Sequence, residues 1–219
     1  SSAPKVGRAA AKLCRIAFEL ANQPDTISVA NRALEGLLEA TQVNAGAVLL
    51  VPRDFPGSPS GSDLEVIASR ANDEVKYHRV SSFLATMVMR EGEAVLARNV
   101  EGDSRLGSRD SQGEIHATSV LCAPVRQDGR VVGLIHLYST LTEIVPDPDD
   151  LEFCLAVADN VALALKTLGR QQELADNLNV TKGEVKQLRK QLGAASEIVG
   201  ASPLKYQVQK EVARAATSR

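Results

Sequence analysis

The sequence predicts an α+β fold, an antiparallel β-sheet flanked by helices and followed by a long C-terminal helix. Three observations predict it. Two apolar stripes of helical period precede the first strand-like run. The runs Ser119 to Val125 and Arg130 to Thr140 are joined through Gln127-Asp128-Gly129, whose Asp-Gly favours a tight hairpin turn. A strongly signalled helix then opens at Asp147 and gives way to a long polar helical stretch.

In chain order, Val6, Ala10, Leu13, Ile16 or Ala17, and Leu20 form the first stripe, which ends at Asn22-Gln23-Pro24. A second helix starts at Asp25 or Thr26 and is expected to turn Ile27, Ala30, Leu34, Leu37, Leu38 and Thr41 inward. Gly46 to Val51, stopped by Pro52, is too short for a helix and reads as a strand buried on both faces. Turn formers follow, and then Leu64 to Arg70 as its antiparallel partner. Ser81 to Glu91 reads as a short capped helix with Phe83, Leu84, Met87 and Val88 on adjoining faces, and Ala94 to Asn99 as a strand running into a Gly- and Asp-containing loop. At the last helix of the domain, Asp147 is the expected cap and Pro148 the first helical residue. Asp149 and Asp150 there complement the positive end of the helix dipole rather than form a metal or acid-base site. Leu151, Leu155, Ala158, Ala162 and Leu165 form its expected buried face.

Composition bounds the function. The 219 residues are 44% hydrophobic with no Trp, enough for one ordinary core plus appendages. A formal charge of -2 gives no general attraction to nucleic acid or to a membrane surface. No apolar run approaches the roughly 18 to 20 residues that span a bilayer, and no signal peptide is visible, so a cytoplasmic location is expected. Cys14, Cys122 and Cys154 are far apart and odd in number, which reads as three small buried side chains in a reducing compartment. His78, His116 and His136 share no helical spacing, so no metal and no cofactor is assigned.

Beyond the domain, Leu174, Leu178, Thr181, Val185, Leu188 and Leu192 recur at alternating steps of four and three among Lys, Arg, Glu and Gln. That is the spacing of a short coiled-coil seam, weakened by Thr181 and Gly183, and it implies a parallel homodimer through the first and last helices. After it, Ile198, Val199, Gly200, Ser202 and Pro203 precede a helix in which Val208, Val212 and Ala215 recur. Ser202 suits the cap there and Pro203 the first helical position. This phrase resembles the start of the AAA+ ATPase domain of bacterial sigma-54-dependent transcription activators. In that family a phosphate-binding loop follows soon after. The chain opens at Ser1-Ser2-Ala3 and stops at Arg219 before any such loop, which reads as an input region cut from its motor.

SVLCAPVRQDGRVVGLIHLYS and DLEFCLAVADNVALAL, with Gly133 inside the last strand and the acidic helix start, resemble a GAF domain. The resemblance covers about residues 8–168, with 169–196 as a helical linker and 197–219 as the start of the truncated AAA+ domain. It implies a sensory, regulatory and non-catalytic module. In such a module the short helix at Ser81 to Glu91 and the loop from Asn99 to Ala117 cover one face of the sheet, and the first and last helices cover the other. The pocket residues it offers are Arg98, Asn99, Asp103, Arg105, His116, Ser119 and Cys122, with Arg109, Ser111 and His136 nearby. An Arg beside a hydroxyl and a His there implies an anionic or hydrogen-bond-accepting small-molecule ligand. In the full-length protein, sigma-54 RNA polymerase and enhancer DNA are the implied partners, with ATP bound by the missing part; no direct nucleic-acid or membrane contact is assigned to this stretch.

Better-defined GAF subclasses fit less well. The Asn-Lys-x-x-Asp motif of cyclic-nucleotide binders and the Cys-His pair of bilin binders are missing from the expected places. Asp103, His116 and Cys122 imitate only part of an iron-binding set. Two further readings stand beside the sensor: an enzyme of the free methionine sulfoxide reductase type working through Cys122, and a module that acts only as a dimerisation spacer.

Overall fold

A computed structural model describes residues 5–53, 55, 57, 59–71, 77–100, 105–106, 117–143, 145–200 and 203–216. The chain divides into two compact units, Ser1–Gly169 and Arg170–Arg219.

The first unit opens with α1 (Lys5–Ala21) and α2 (Thr26–Ala40), and Asp25 caps α2 by accepting a 2.8 Å hydrogen bond from the Ser28 amide. Next come β1 (Ala45–Leu50), a 3-10 turn at Gly61–Asp63, β2 (Glu65–Ala71), α3 (Ser82–Glu91) and β3 (Val95–Arg98). The paired strands β4 (Ser119–Gln127) and β5 (Arg130–Ser139) lead to α4 (Pro148–Gly200). Five strands form one sheet in the order β2-β1-β5-β4-β3, and every neighbouring pair is antiparallel.

Local chemistry explains the sharpest boundaries. The β4-β5 turn puts Asp128 at φ 50° and Gly129 at φ 78°, left-handed values that Asp tolerates and Gly adopts freely. At the start of α4, the Asp147 carboxylate accepts from the Asp150 amide at 3.0 Å while Asp150 accepts from the Asp147 amide at 2.9 Å. Gly133 is needed where β5 passes β1, because a Cβ there would lie 2.3 Å from the Leu49 carbonyl oxygen. Pro124, which has no amide to donate, sits in β4 beyond Cys122, the last residue paired with β3.

The strands separate two cores. One face packs on α1, α2 and α4 through Val48, Leu121, Ala123, Val125, Ile135 and Leu137. The other packs on α3 through Ala45, Ala47, Leu49, Val120, Cys122, Leu134 and Tyr138. Each fully buried Leu or Val contributes about 1.5–3 kcal/mol by leaving water, so the two-sided β1, buried at all six positions, is the spine of the domain.

Several inward faces differ from expectation. Ile27 is 60% exposed, and the buried stripe of α2 is Val29, Ala30, Ala33, Leu34, Gly36 and Leu37. Ala10 and Cys14 of α1 are exposed, since Ile16 and Leu20 aim the helix inward and Cys14 projects to a different side. In α4 the deepest residues are Cys154, Val157, Ala158, Val161 and Ala162, while Leu151, Leu155 and Leu165 are only partly buried. Period alone locates a stripe to within a residue or two; the partner surface sets its centre.

In the second unit α4 continues to Gly200, through Ile198, Val199 and Gly200, and α5 (Pro203–Ala216) begins at the expected proline. Leu174, Leu178, Val185, Leu188 and Leu192 are all exposed in the single chain. No helix among the described residues is long and apolar enough to cross a membrane.

Candidate functional site

The chemistry of the α3 face comes from β5, β4 and the segment after β2. Alternation along β5 puts Leu134, His136 and Tyr138 on this side and Ile135, Leu137 and Ser139 on the other. Cys122 of β4 pairs with His136 and shares its face. The Tyr77 hydroxyl lies 3.0 Å from Nδ1 of His136, and its ring meets the His136 ring edge-on at 5.7 Å. The Tyr138 hydroxyl accepts a 2.8 Å hydrogen bond from the His78 amide, and the His136 and Tyr138 rings are 5.5 Å apart. Sequence reasoning missed Tyr77 and Tyr138, and placed His136 only at the margin of the site.

Burial drives His136, Cys122, Tyr77 and Tyr138 toward their neutral forms. Burial lowers the His136 pKa to about 3, so its imidazole is uncharged at neutral pH. Burial also pushes the Cys122 thiol and the Tyr77 hydroxyl well above their usual values. Cys122 is therefore held as a thiol, whereas nucleophilic and metal-binding cysteines act as thiolates.

Among the described residues, the other predicted site residues have partners or positions of their own. Arg98 pairs with Ser119 and lies on the other face of β3 from Val95 and Ala97; its Nε donates to the Pro146 carbonyl at 2.9 Å, ahead of α4. Ser119 pairs with Ser139 on the same helix-covered face, fully buried, and its hydroxyl has no hydrogen-bond partner among the described residues. Asn99 is exposed, with φ 58°. Arg105 stacks its guanidinium over the Phe83 ring of α3 at 4.7 Å, and its carbonyl accepts from Ser81. Arg98 is thus tied to the approach to α4 and Arg105 to α3, so these two do not converge as the anion-binding expectation requires. Asp103, Arg109, Ser111 and His116 lie outside the described residues.

A separate shallow groove of about 520 Å³ runs between α2 and the edge strand β2. Within its lining Glu35 pairs with Arg70 at 2.6 Å, and Glu35 also pairs with Arg32 at 3.0 Å. Among the described residues, no group of three or more His, Cys, Asp or Glu side chains is placed to hold a metal ion.

A five-stranded antiparallel sheet with one helical layer and a short helix over a semi-polar opposite face defines an α+β sandwich of the sensor-domain class. Within that class, the GAF domain model matches residues 25–165, and the chain belongs to the GAF domain family. No curated protein sequence matches the chain. Solved structures share the fold at low identity. The GAF domain of a phosphoenolpyruvate-protein phosphotransferase from Coxiella burnetii is 14% identical with TM-score 0.59, covering 78% of this chain and 99% of that one. The free methionine-R-sulfoxide reductase of Neisseria meningitidis, solved with its substrate, is 19% identical with TM-score 0.57, covering 78% and 96%. The chromophore-binding domain of a bacteriophytochrome from R. palustris is 11% identical with TM-score 0.56, covering 78% of this chain and only 64% of that one.

Proposed function

We propose that this chain is the sensory and regulatory region of a sigma-54-dependent transcription activator, without catalytic activity of its own. The observation that carries the reading is the order of parts: a GAF domain, an unbroken helix to Gly200, and a new helix opening at Pro203 after the Ile198-Val199-Gly200-Ala201-Ser202 phrase. The reading predicts that transcripts changed by deleting the gene overlap those changed by deleting sigma-54. RNA sequencing of the two strains tests it, and disjoint sets overturn it.

A ligand on the α3 face meets His136, Tyr77, Tyr138 and Cys122, all in neutral forms, which favours an uncharged hydrogen-bonding molecule over the anion that the sequence implied. Native mass spectrometry of gently purified protein, with a thermal-shift panel, tests for such a molecule.

The spacer reading is favoured by one observation: Tyr77, His136, Tyr138, Leu134 and Met89 already pack against one another on this face. A panel with no stabilising compound and no co-purified mass supports it. The reductase reading is opposed by the buried, protonated Cys122 and by the placement of Cys154 in the other core. Turnover of free methionine sulfoxide that is lost in Cys122→Ser would restore it.

A further inference from the structure

Among the described residues β2 has a single neighbour in the sheet, β1, so every second residue of β2 points its backbone N–H and C=O away from the sheet. Such edges are commonly guarded by a bulge, a proline or a lysine. Here the register shifts once, between Val48 and Leu49 of β1, and Glu65 to Ala71 contains neither Pro nor Lys. Past the shift, Ala68, Ser69, Arg70 and Ala71 pair in unbroken register with Val48, Ala47, Gly46 and Ala45. The groove of about 520 Å³ lies against this same stretch, lined by Ser69, Arg70 and Ala71 on the strand and by Glu35, Leu38 and Glu39 on α2. The opposite edge differs, because β3 is four residues long and Arg98 at its end is held by the Pro146 carbonyl. We propose that the outer edge of β2 at Ala68–Ala71 accepts an extended segment of a partner protein as a sixth strand, and that the groove beside α2 selects a segment with an apolar and a basic residue at alternate positions.

The pleat sets that alternation. Ala68 shares the helix-covered core with Val48, and Arg70 turns the same way to reach Glu35 of α2. Ser69 and Ala71 pair with Ala47 and Ala45, which belong to the other face. Directly opposed residues of neighbouring strands share a face, so the incoming residues opposite Ala68 and Arg70 point over α2 and the residue between them points away. Over α2 they meet Leu38, itself partly buried against the core, and an acidic wall. Glu35 is already paired with Arg32 and Arg70. Glu39 is exposed, Lys12 donates to its backbone carbonyl at 3.3 Å, and its carboxylate has no ion pair among the described residues. An apolar side chain on Leu38 and a cation beside Glu39 therefore complement this groove.

A second copy of β2 suits the edge less well. Paired edge to edge about a two-fold axis, the two chains would place α2 on the same side of the joined sheet and bring two acidic grooves together. A basic segment of another protein meets the opposite charge, with backbone bonds to β2 supplying affinity and the groove supplying selectivity. The inference goes beyond the regulatory reading by giving the domain a protein input, and it depends on neither sigma-54 nor a small molecule.

The experiment uses the whole chain, isotope-labelled for NMR, and a synthetic peptide, Thr-Val-Thr-Lys-Thr-Val-Thr-Lys, capped at both ends. Binding should shift the amides of Ala68 to Ala71 and of Glu35 to Glu39. A peptide with Glu in place of Lys should bind about fivefold more weakly, as should the parent peptide to Glu39→Lys, and the Glu peptide should recover affinity on Glu39→Lys. Glu39 is exposed, so the variant keeps the fold, which circular dichroism checks. Of two N-methylated peptides, one modified at the Thr nitrogens and one at the Val and Lys nitrogens, one should lose binding and the other keep it, because a single edge of the peptide bonds to β2. No shifts with the peptide, shifts confined to another face, binding by both methylated peptides, or no recovery on exchanging the charges each overturns the inference. Concentration-dependent protection of the β2 amides without peptide would assign the edge to a second copy and overturn it as well. Failure here leaves the ligand and sigma-54 tests untouched.

Discussion

Along β5 the same strand serves two cores of different character. Ile135 and Leu137 face α1, α2 and α4 through apolar contact alone, whereas His136 and Tyr138 face α3 among groups that hydrogen-bond to Tyr77 and His78. Burial without direction holds the helix layer. On the other face, geometry matters as well as area, because a buried imidazole or phenol that loses its partner costs about 1–3 kcal/mol. The first arrangement rests on buried area alone, and the second on area and hydrogen-bond direction together.

The widest gap should appear on truncation. Leu137→Ala should lose about 2–5 kcal/mol, the range for large cavities in a packed core. Tyr77→Phe, which removes one hydroxyl and keeps the ring, should lose about 1–3 kcal/mol. Urea unfolding of both variants measures the two faces in one unit, and equal losses would erase the distinction.

Acid should act mainly through the α3 face. The folded-state pKa of His136 is depressed from 6.5 to about 3, so its contribution is fully present above pH 6.5 and is lost as pH falls toward 3. The slope approaches about 1.4 kcal/mol per pH unit. Asp150 works in the opposite sense. Burial first, then neighbouring Asp147 and Asp149, raise its pKa above 3.8, and the Asp147 and Gln42 amides partly oppose the shift. Its contribution is therefore present below pH 3.8 and is lost as pH rises through the folded value. His136→Gln keeps a hydrogen-bonding side chain without a charge to gain, and it should flatten the slope just below pH 6.5. An unchanged slope would place the acid sensitivity elsewhere.

The smallest effect concerns a buried polar group on the helix face that has no partner among the described residues. Ser119 buries a hydroxyl that bonds to none of the described residues, so Ser119→Ala should leave stability unchanged or raise it by up to about 1 kcal/mol. A loss above that, in the same urea titration, would mean that the hydroxyl has a role at this end of the sheet.

What the sequence determined by itself was local. The reciprocal Asp147 and Asp150 cap, the Asp128-Gly129 hairpin, the Ser81 cap of α3 and the Pro203 helix start each depend on residues within a few positions of one another. Short apolar runs bounded by turn formers also implied the antiparallel strands, and the resemblance to a GAF domain implied the two covered faces of the sheet. Which side chains meet on a face was decided only in three dimensions. Arg98 and Ser119 looked like neighbours of Cys122, but period-two alternation turns them to the other side of the sheet. Tyr77 reaches His136 across 59 residues, and Tyr138 meets the amide of His78 across 60. Such pairings follow from strand register and from the path of the covering segments, which are set by burial summed over the whole core.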